Sequence, residues 1–149
     1  MNRRNILWSA ASALGAALGA SGAKAATEAG AGHKLKVVYH LSDAEKVSFV
    51  LGNIQNHIDG VGGPEHVTIA LVIHGPALKA FHAAHANPDI SKRVSDFSKD
   101  GVELAACGNT MKAQNVTLRE LLPGFVSAEK GGVVRLAELQ SQGYLYLRP

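Results

Sequence analysis

The sequence predicts an α/β fold: a mostly parallel sheet of about five strands with helices on both faces. Three observations lead there. Short β-branched runs alternate along the chain with helix-period segments, the order that produces βαβ crossovers. The run His66-Val67-Thr68-Ile69-Ala70-Leu71-Val72-Ile73-His74 is almost continuously apolar, as a strand covered on both faces requires. A single cysteine stands among 149 residues, so no internal disulfide can hold the fold and packing must do so.

The N-terminal region is set aside from this domain. Arg3-Arg4 precede an uncharged stretch rich in Ala, Gly and Leu that ends in Ala23-Lys24-Ala25, a small-x-small cleavage pattern. Residues 1–25 are therefore expected to be an export signal. The arginine pair points to the twin-arginine route, with the general secretory route as the alternative. Gly15, Gly19 and Gly22 dilute the run too far for a membrane span. The expected location is the periplasm, and no membrane span is expected after signal removal. Residues 26–33 are small and polar and read as a disordered leader, leaving residues 34–149 as one domain.

The whole chain carries 15 Lys+Arg against 12 Asp+Glu. Arg3, Arg4 and Lys24 leave with the signal, so 12 basic side chains then face 12 acidic ones. Lys92-Arg93 is typical of the basic clusters that remain, which argues against nucleic acid as a partner.

Residues 35–41 form the first predicted strand, β-branched and aromatic at its centre. Ser42 and Glu45 have capping-box spacing and are expected to open a helix whose apolar face is Val47, Val50, Leu51, Ile54 and Ile58. Asp59-Gly60 closes it. A glycine-rich loop, Gly60-Val61-Gly62-Gly63-Pro64, precedes the second strand rather than joining a strand to a helix, so it is not a phosphate-binding loop. Pro76 is suited to a first helical position, and Leu78, Phe81 and Ala84 give a short helix its apolar side. Asn87-Pro88 starts another helix, with Ile90, Val94 and Phe97 on one face. Residues 102–106 make the third strand. Thr117 and Glu120 form a second capping-box pattern, and residues 125–127 a brief fourth strand. Val133, Leu136, Ala137 and Leu139 support a last helix, and residues 144–147 a last strand.

In an open parallel sheet, ligands gather beyond the carboxyl ends of the strands. Three predicted strands end at His40, His74 and Cys107, which places all three on one rim. Gly108-Asn109-Thr110 suits a tight strand-to-helix turn with Asn109 or Thr110 as cap. A thiol there faces unpaired N–H groups that favour the thiolate, and Lys112 one turn on adds positive charge. Two readings of Cys107 stand open at this point: a reactive thiol, or a buried inert one. His40 and His74 are the better-placed histidines. His66 begins a strand, and His82 and His85 are expected on solvent-facing helix positions. A Cys107-His40-His74 metal site is the weaker alternative, since no close-spaced ligand pair supports it. Paired catalytic carboxylates and a nucleophile elbow are both missing, which argues against a hydrolase.

These residues carry a family resemblance. Val37-Val38-Tyr39-His40-Leu41, Leu51-Gly52-Asn53-Ile54-Gln55-Asn56 and Val72-Ile73-His74-Gly75-Pro76-Ala77-Leu78 recur in order. They are followed by Val102 to Met111, with its Cys107-Gly108-Asn109-Thr110 turn, and by the Gln142-Gly143-Tyr144 ending. Over residues 34–149 the chain resembles the DsrE/DsrF-like sulfur-relay family, related to the TusD-type carriers. The resemblance implies a flavodoxin-like three-layer fold and a homo-oligomer, often a trimer or hexamer. In the family's carriers, the cysteine matching Cys107 takes up sulfur as a persulfide. His74 or His40 would then move the proton, and Gly108, Asn109 and Thr110 would bind the sulfur-bearing group. The implied partners are sulfur donor and acceptor proteins or small sulfane-sulfur compounds, with no cofactor. A sulfurtransferase-type carrier and a non-catalytic binding or assembly module both fit this resemblance.

Overall fold

The computed structural model describes residues 34–149, so the expected export signal and leader lie outside the described residues. Five strands form one sheet: β1 (Leu35–Leu41), β2 (Val67–Ile73), β3 (Glu103–Cys107), β4 (Phe125–Ala128) and β5 (Leu145–Leu147). Four α-helices connect or flank them: α1 (Val47–Gly60), α2 (Pro88–Lys99), α3 (Gly108–Ala113) and α4 (Gly132–Ser141). The strand order is β4-β3-β2-β1-β5, and every pairing is parallel. The expected α/β sandwich is therefore present, and its sheet is parallel throughout rather than mostly so.

The topology decides which helix covers which face. From β1 to β4 each crossover steps the same way across the sheet, and right-handed crossovers then put their helices on one side. The step from β4 to β5 runs back past the others, so α4 lands on the opposite side. Side-chain alternation along the strands matches this division. Val37, Tyr39, Leu41, Ile69, Leu71, Ile73 and Leu104 pack with Val50, Leu51 and Ile54 of α1 and Val94 and Phe97 of α2. Val38, Ala70, Val72 and Ala105 pack against Leu136 and Leu139 of α4. The first core is broad and includes a T-shaped Phe81–Phe125 pair with centroids 5.5 Å apart. The second is thin, with small strand residues beneath a single helix.

Several helix starts differ from expectation. Ser42 makes no cap. Its hydroxyl donates to Asp43 and accepts from Arg148, and a 3₁₀ turn over Ala44–Lys46 precedes α1. The segment around Leu78 is also 3₁₀, spanning Gly75–Phe81, and leaves Ala84 outside it. The Thr117–Glu120 capping box does form, opening the 3₁₀ turn Leu118–Glu120. Asn87 caps α2 by accepting from the Asp89 amide at 2.8 Å. Val133, expected to support the apolar face of α4, is 69% exposed, and Leu136 and Leu139 carry that face. Among the described residues no helix is long and apolar enough to cross a membrane.

Candidate functional site

His40, His74 and Cys107 all lie along the carboxyl rim, on the α4 side of the sheet, with the two histidines in contact. The reason is parity. His40 lies in register with Val72, and Cys107 is two residues beyond Ala105, so each shares a face with the thin core. His74 follows β2 directly, and its amide donates to the Leu41 carbonyl at 3.1 Å, prolonging the β1–β2 pairing by one residue.

Cys107 is the last residue of β3 and itself the N-cap of α3, with Gly108 as the first helical residue. Asn109 and Thr110 therefore lie inside the first turn rather than at the cap. Gly108 is needed at this point: a Cβ there would stand 3.1 Å from the backbone of Ala128 and Glu129. That closeness lets the β4–α4 loop reach the thiol.

The thiol is 5% exposed. Its burial pushes the pKa up, because a thiolate is poorly solvated there. Hydrogen bonds from the Thr110 hydroxyl and from the amides of Gly132, Thr110 and Asn109 outweigh that, and the net direction is below the ordinary cysteine value. Lys112 is not among the groups acting on it. Thr110 is well placed for this task. Its Oγ1 accepts from the Gly75 amide at 3.0 Å, which leaves its own proton to point at sulfur. The same contact ties the loop after His74 to α3. Gln114 adds a second tie, donating to the Gly75 carbonyl at 2.9 Å while its Oε1 accepts from His82. His82 is thus a partly buried structural group, not the solvent-facing helical residue expected. His66 ends a 3₁₀ turn and is exposed, and His85 lies in a turn.

Gly132 lies between Cys107 and His74. A Cβ on it would meet Cys107 Cβ and His74 Cβ at 3.3 Å each. The N-terminus of α4 is seated directly over the pair. Gly131, at φ 107°, makes the turn into that helix and approaches Asn109 closely.

His74 and His40 stack with centroids 4.7 Å apart and join Nε2 to Nε2 at 2.5 Å. His40 Nδ1 meets the Tyr146 hydroxyl at 2.6 Å. Burial first, then the nearby His74 and Arg148, lower the His40 pKa to about 4, against a smaller opposite effect of Asp43. Burial and Arg148 lower that of His74 as well. Both shifts favour the neutral imidazole. Arg148 donates to Ser42 Oγ at 3.0 Å and lies 3.5 Å from Asp43 Oδ2.

Residues missed from the sequence are Gly131, Gly132, Tyr146 and Arg148. The glycine doublet just before an apolar helix was a usable signal. Tyr146 was not legible without knowing that β5 pairs with β1. A cleft of about 440 Å³ opens between β4 and α4, lined by Val126, Ala128, Gly131, Glu103 and Arg135 among others. His40, His74 and Cys107 are not in its lining, so its volume does not mark the chemistry. Among the described residues no three His, Cys, Asp or Glu side chains come together as a metal-binding group, which leaves the Cys/His metal alternative without its donor set.

The fold and rim define a three-layer parallel α/β protein with a polarised thiol at a strand-to-helix turn. The chain belongs to the DsrE/DsrF-like family, whose model matches residues 9–149. Among solved structures, it is similar to a protein of unknown function from Methanobacterium thermoautotrophicum. The two share 26% identity and a TM-score of 0.67, over 77% of this chain and 99% of that one. It has the fold of the ychN protein from E. coli (12% identity, TM-score 0.62, 77% of this chain and 100% of that one). It also has the fold of a conserved protein of unknown function from Bacteroides thetaiotaomicron (16%, 0.57, 76% and 94%). No curated protein matches the chain.

Proposed function

We propose that this protein is an exported, periplasmic sulfur carrier that holds sulfane sulfur as a persulfide on Cys107. The observation that supports this most is the thiol's setting. It is buried, yet hydrogen bonds from Thr110, Asn109 and Gly132 favour its thiolate, and the thiolate is the nucleophile. Membership of a family whose general role is sulfur relay points the same way.

In this reading the Cys107 thiolate attacks the outer sulfur of a donor persulfide, R–S–SH. A new S–S bond forms to Sγ, the donor's S–S bond breaks, and RS⁻ leaves to take up the proton that Cys107 lost. An acceptor thiolate then attacks the outer sulfur, and Cys107 leaves as thiolate. Both steps are exchanges at sulfur without net redox change. Amides of Asn109, Thr110 and Gly132 stabilise the anionic forms, Gly108 lets the β4–α4 loop close on the thiol, and His74 or His40 moves the proton. Donor and acceptor proteins or small polysulfides are the partners. A homo-oligomer, trimeric or hexameric, belongs to the same reading; exposed Phe49 and Leu145 are apolar surface that assembly would cover.

The test is mass spectrometry after exposure to inorganic polysulfide. A gain of about 32 Da, one sulfur, located on Cys107 of the folded protein and weaker after denaturation supports the reading. No adduct, or an equal one on denatured chain, removes it. The second reading, a binding or assembly module without thiol chemistry, draws on the same burial of Cys107, which suits an inert core thiol.

A further inference from the structure

Gly75 is gripped at both of its backbone groups by side chains from α3 and its C-cap. Its amide donates to Thr110 Oγ1 at 3.0 Å, and its carbonyl accepts from Gln114 Nε2 at 2.9 Å. Thr110 and Gln114 are four residues apart, about one helical turn, so both reach the same side. Gly75 sits at φ 61°, in the left-handed region that glycine enters without cost. The residues flanking it are held from the end of β1 instead. The His74 amide donates to the Leu41 carbonyl and the Ala77 amide to the Ser42 carbonyl, each at 3.1 Å. The Gly75 clasp therefore joins this turn to the helix whose first turn holds the thiol.

The orientation of Gln114 is fixed in its turn. Its Nε2 donates to a carbonyl, so its Oε1 accepts, and the His82 Nε2 lying 2.9 Å away carries a proton. That proton is present in the matching neutral tautomer and in the cation alike, so titration of His82 does not open the bond. His82 has an anchored backbone: it bridges to Leu121, and the next amide, of Ala83, donates to the Glu120 carbonyl at 2.8 Å. A line of hydrogen bonds thus runs from this anchor through Gln114, Gly75 and Thr110 to the sulfur.

A helical threonine hydroxyl has a competing use for its proton, the carbonyl three or four residues back. An N–H seated on its oxygen limits how the hydroxyl can turn. Glycine has no side chain to hold its own backbone in one orientation, so the hold on Gly75 comes from Gln114. We infer that Gln114, oriented by His82, is a positioning residue for Cys107: by fixing Gly75 it keeps the Thr110 hydroxyl directed at the sulfur. The inference rests on the sulfur-carrier reading and adds to it two residues outside the cysteine turn. The groups acting on the thiol are the hydrogen bonds from Thr110, Asn109 and Gly132. His74 is a titratable neighbour across Gly132, and Glu120 faces His82 at the other end of the line.

The experiment uses the full chain and follows alkylation of Cys107 by iodoacetamide as a function of pH, with urea midpoints measured alongside. Gln114→Met keeps the side-chain length and removes both polar ends. Its alkylation profile should move up by about half a pH unit, a loss of about threefold in rate below the midpoint, because a hydrogen bond to the thiolate is loosened. Thr110→Val should move the profile further. The double variant should go no further than Thr110→Val alone, since Gln114 acts through that hydroxyl. His82→Phe should shift the profile in the same direction by less, and it carries the test if Gln114→Met does not fold. A wild-type profile in these variants, even with a lowered urea midpoint, would overturn the positioning role, as would additive shifts in the double variant. Adduct formation from inorganic polysulfide is the second readout and should slow by the same factor as alkylation. A wild-type protein that takes up no sulfur would remove the carrier reading, while the alkylation profiles still decide the clasp.

Discussion

The two faces of the sheet solve different problems. The α1–α2 face is deep and dry, with Phe81, Phe97, Leu51, Ile54 and Leu71 all fully buried. The α4 face is shallow, with Ala70, Ala105 and Val72 under one ten-residue helix. His40, His74 and Cys107 belong to the shallow face. A polar cluster costs least where few large apolar side chains must be displaced to seat it, and where a loop rather than a packed helix side lies above. Here the glycines at the start of α4 bring amides to the thiol in place of side chains. Stability is concentrated on one side, which leaves the other side available for chemistry.

That contrast can be broken by substitution. The largest effect should come from Cys107→Ser, which removes every sulfur adduct while moving the denaturation midpoint little; unchanged function in a cellular assay would favour the assembly-module reading. Next is Phe97→Ala on the deep face, expected to cost about 3–5 kcal/mol in urea unfolding. Leu136→Ala on the shallow face should cost less, near ~2 kcal/mol, because a thin layer can relax into the space. Equal losses would mean that the two faces do not differ as described. Thr110→Val should raise the thiol pKa, read from the pH dependence of alkylation, because it removes a hydrogen bond that favours the thiolate.

The smallest effect is a pH dependence. His40 titrates at about 4 when folded against 6.5 ordinarily, so between those values the unfolded chain binds the extra proton. The stability this contributes is complete above pH 6.5 and is lost as pH falls towards 4. Denaturant midpoints across that window should drop on acidification, and His40→Gln should flatten the slope. A slope unchanged in the variant would place the acid sensitivity elsewhere.

Much of the fold was legible because hydrophobic period and strand alternation are local properties. The helix face Val47, Val50, Leu51, Ile54 and Ile58 is buried as expected. The capping box at Ser42 failed for a reason outside local sequence: Arg148, far along the chain, takes the hydroxyl. His82 was misplaced for a similar reason, since its partner Gln114 lies in another element.

By itself, the sequence determined the parallel α/β class, the rim position of His40, His74 and Cys107, and the glycine-opened turn after the cysteine. Each follows from residues within a few positions of one another. Only the tertiary structure decided that β5 crosses back to pair with β1, that α4 therefore covers the opposite face, and that Gly132 and Tyr146 complete the site. Strand order is set by how whole elements pack. The side chains that meet at a rim are chosen by that order and by strand parity together, which no local stretch of sequence contains.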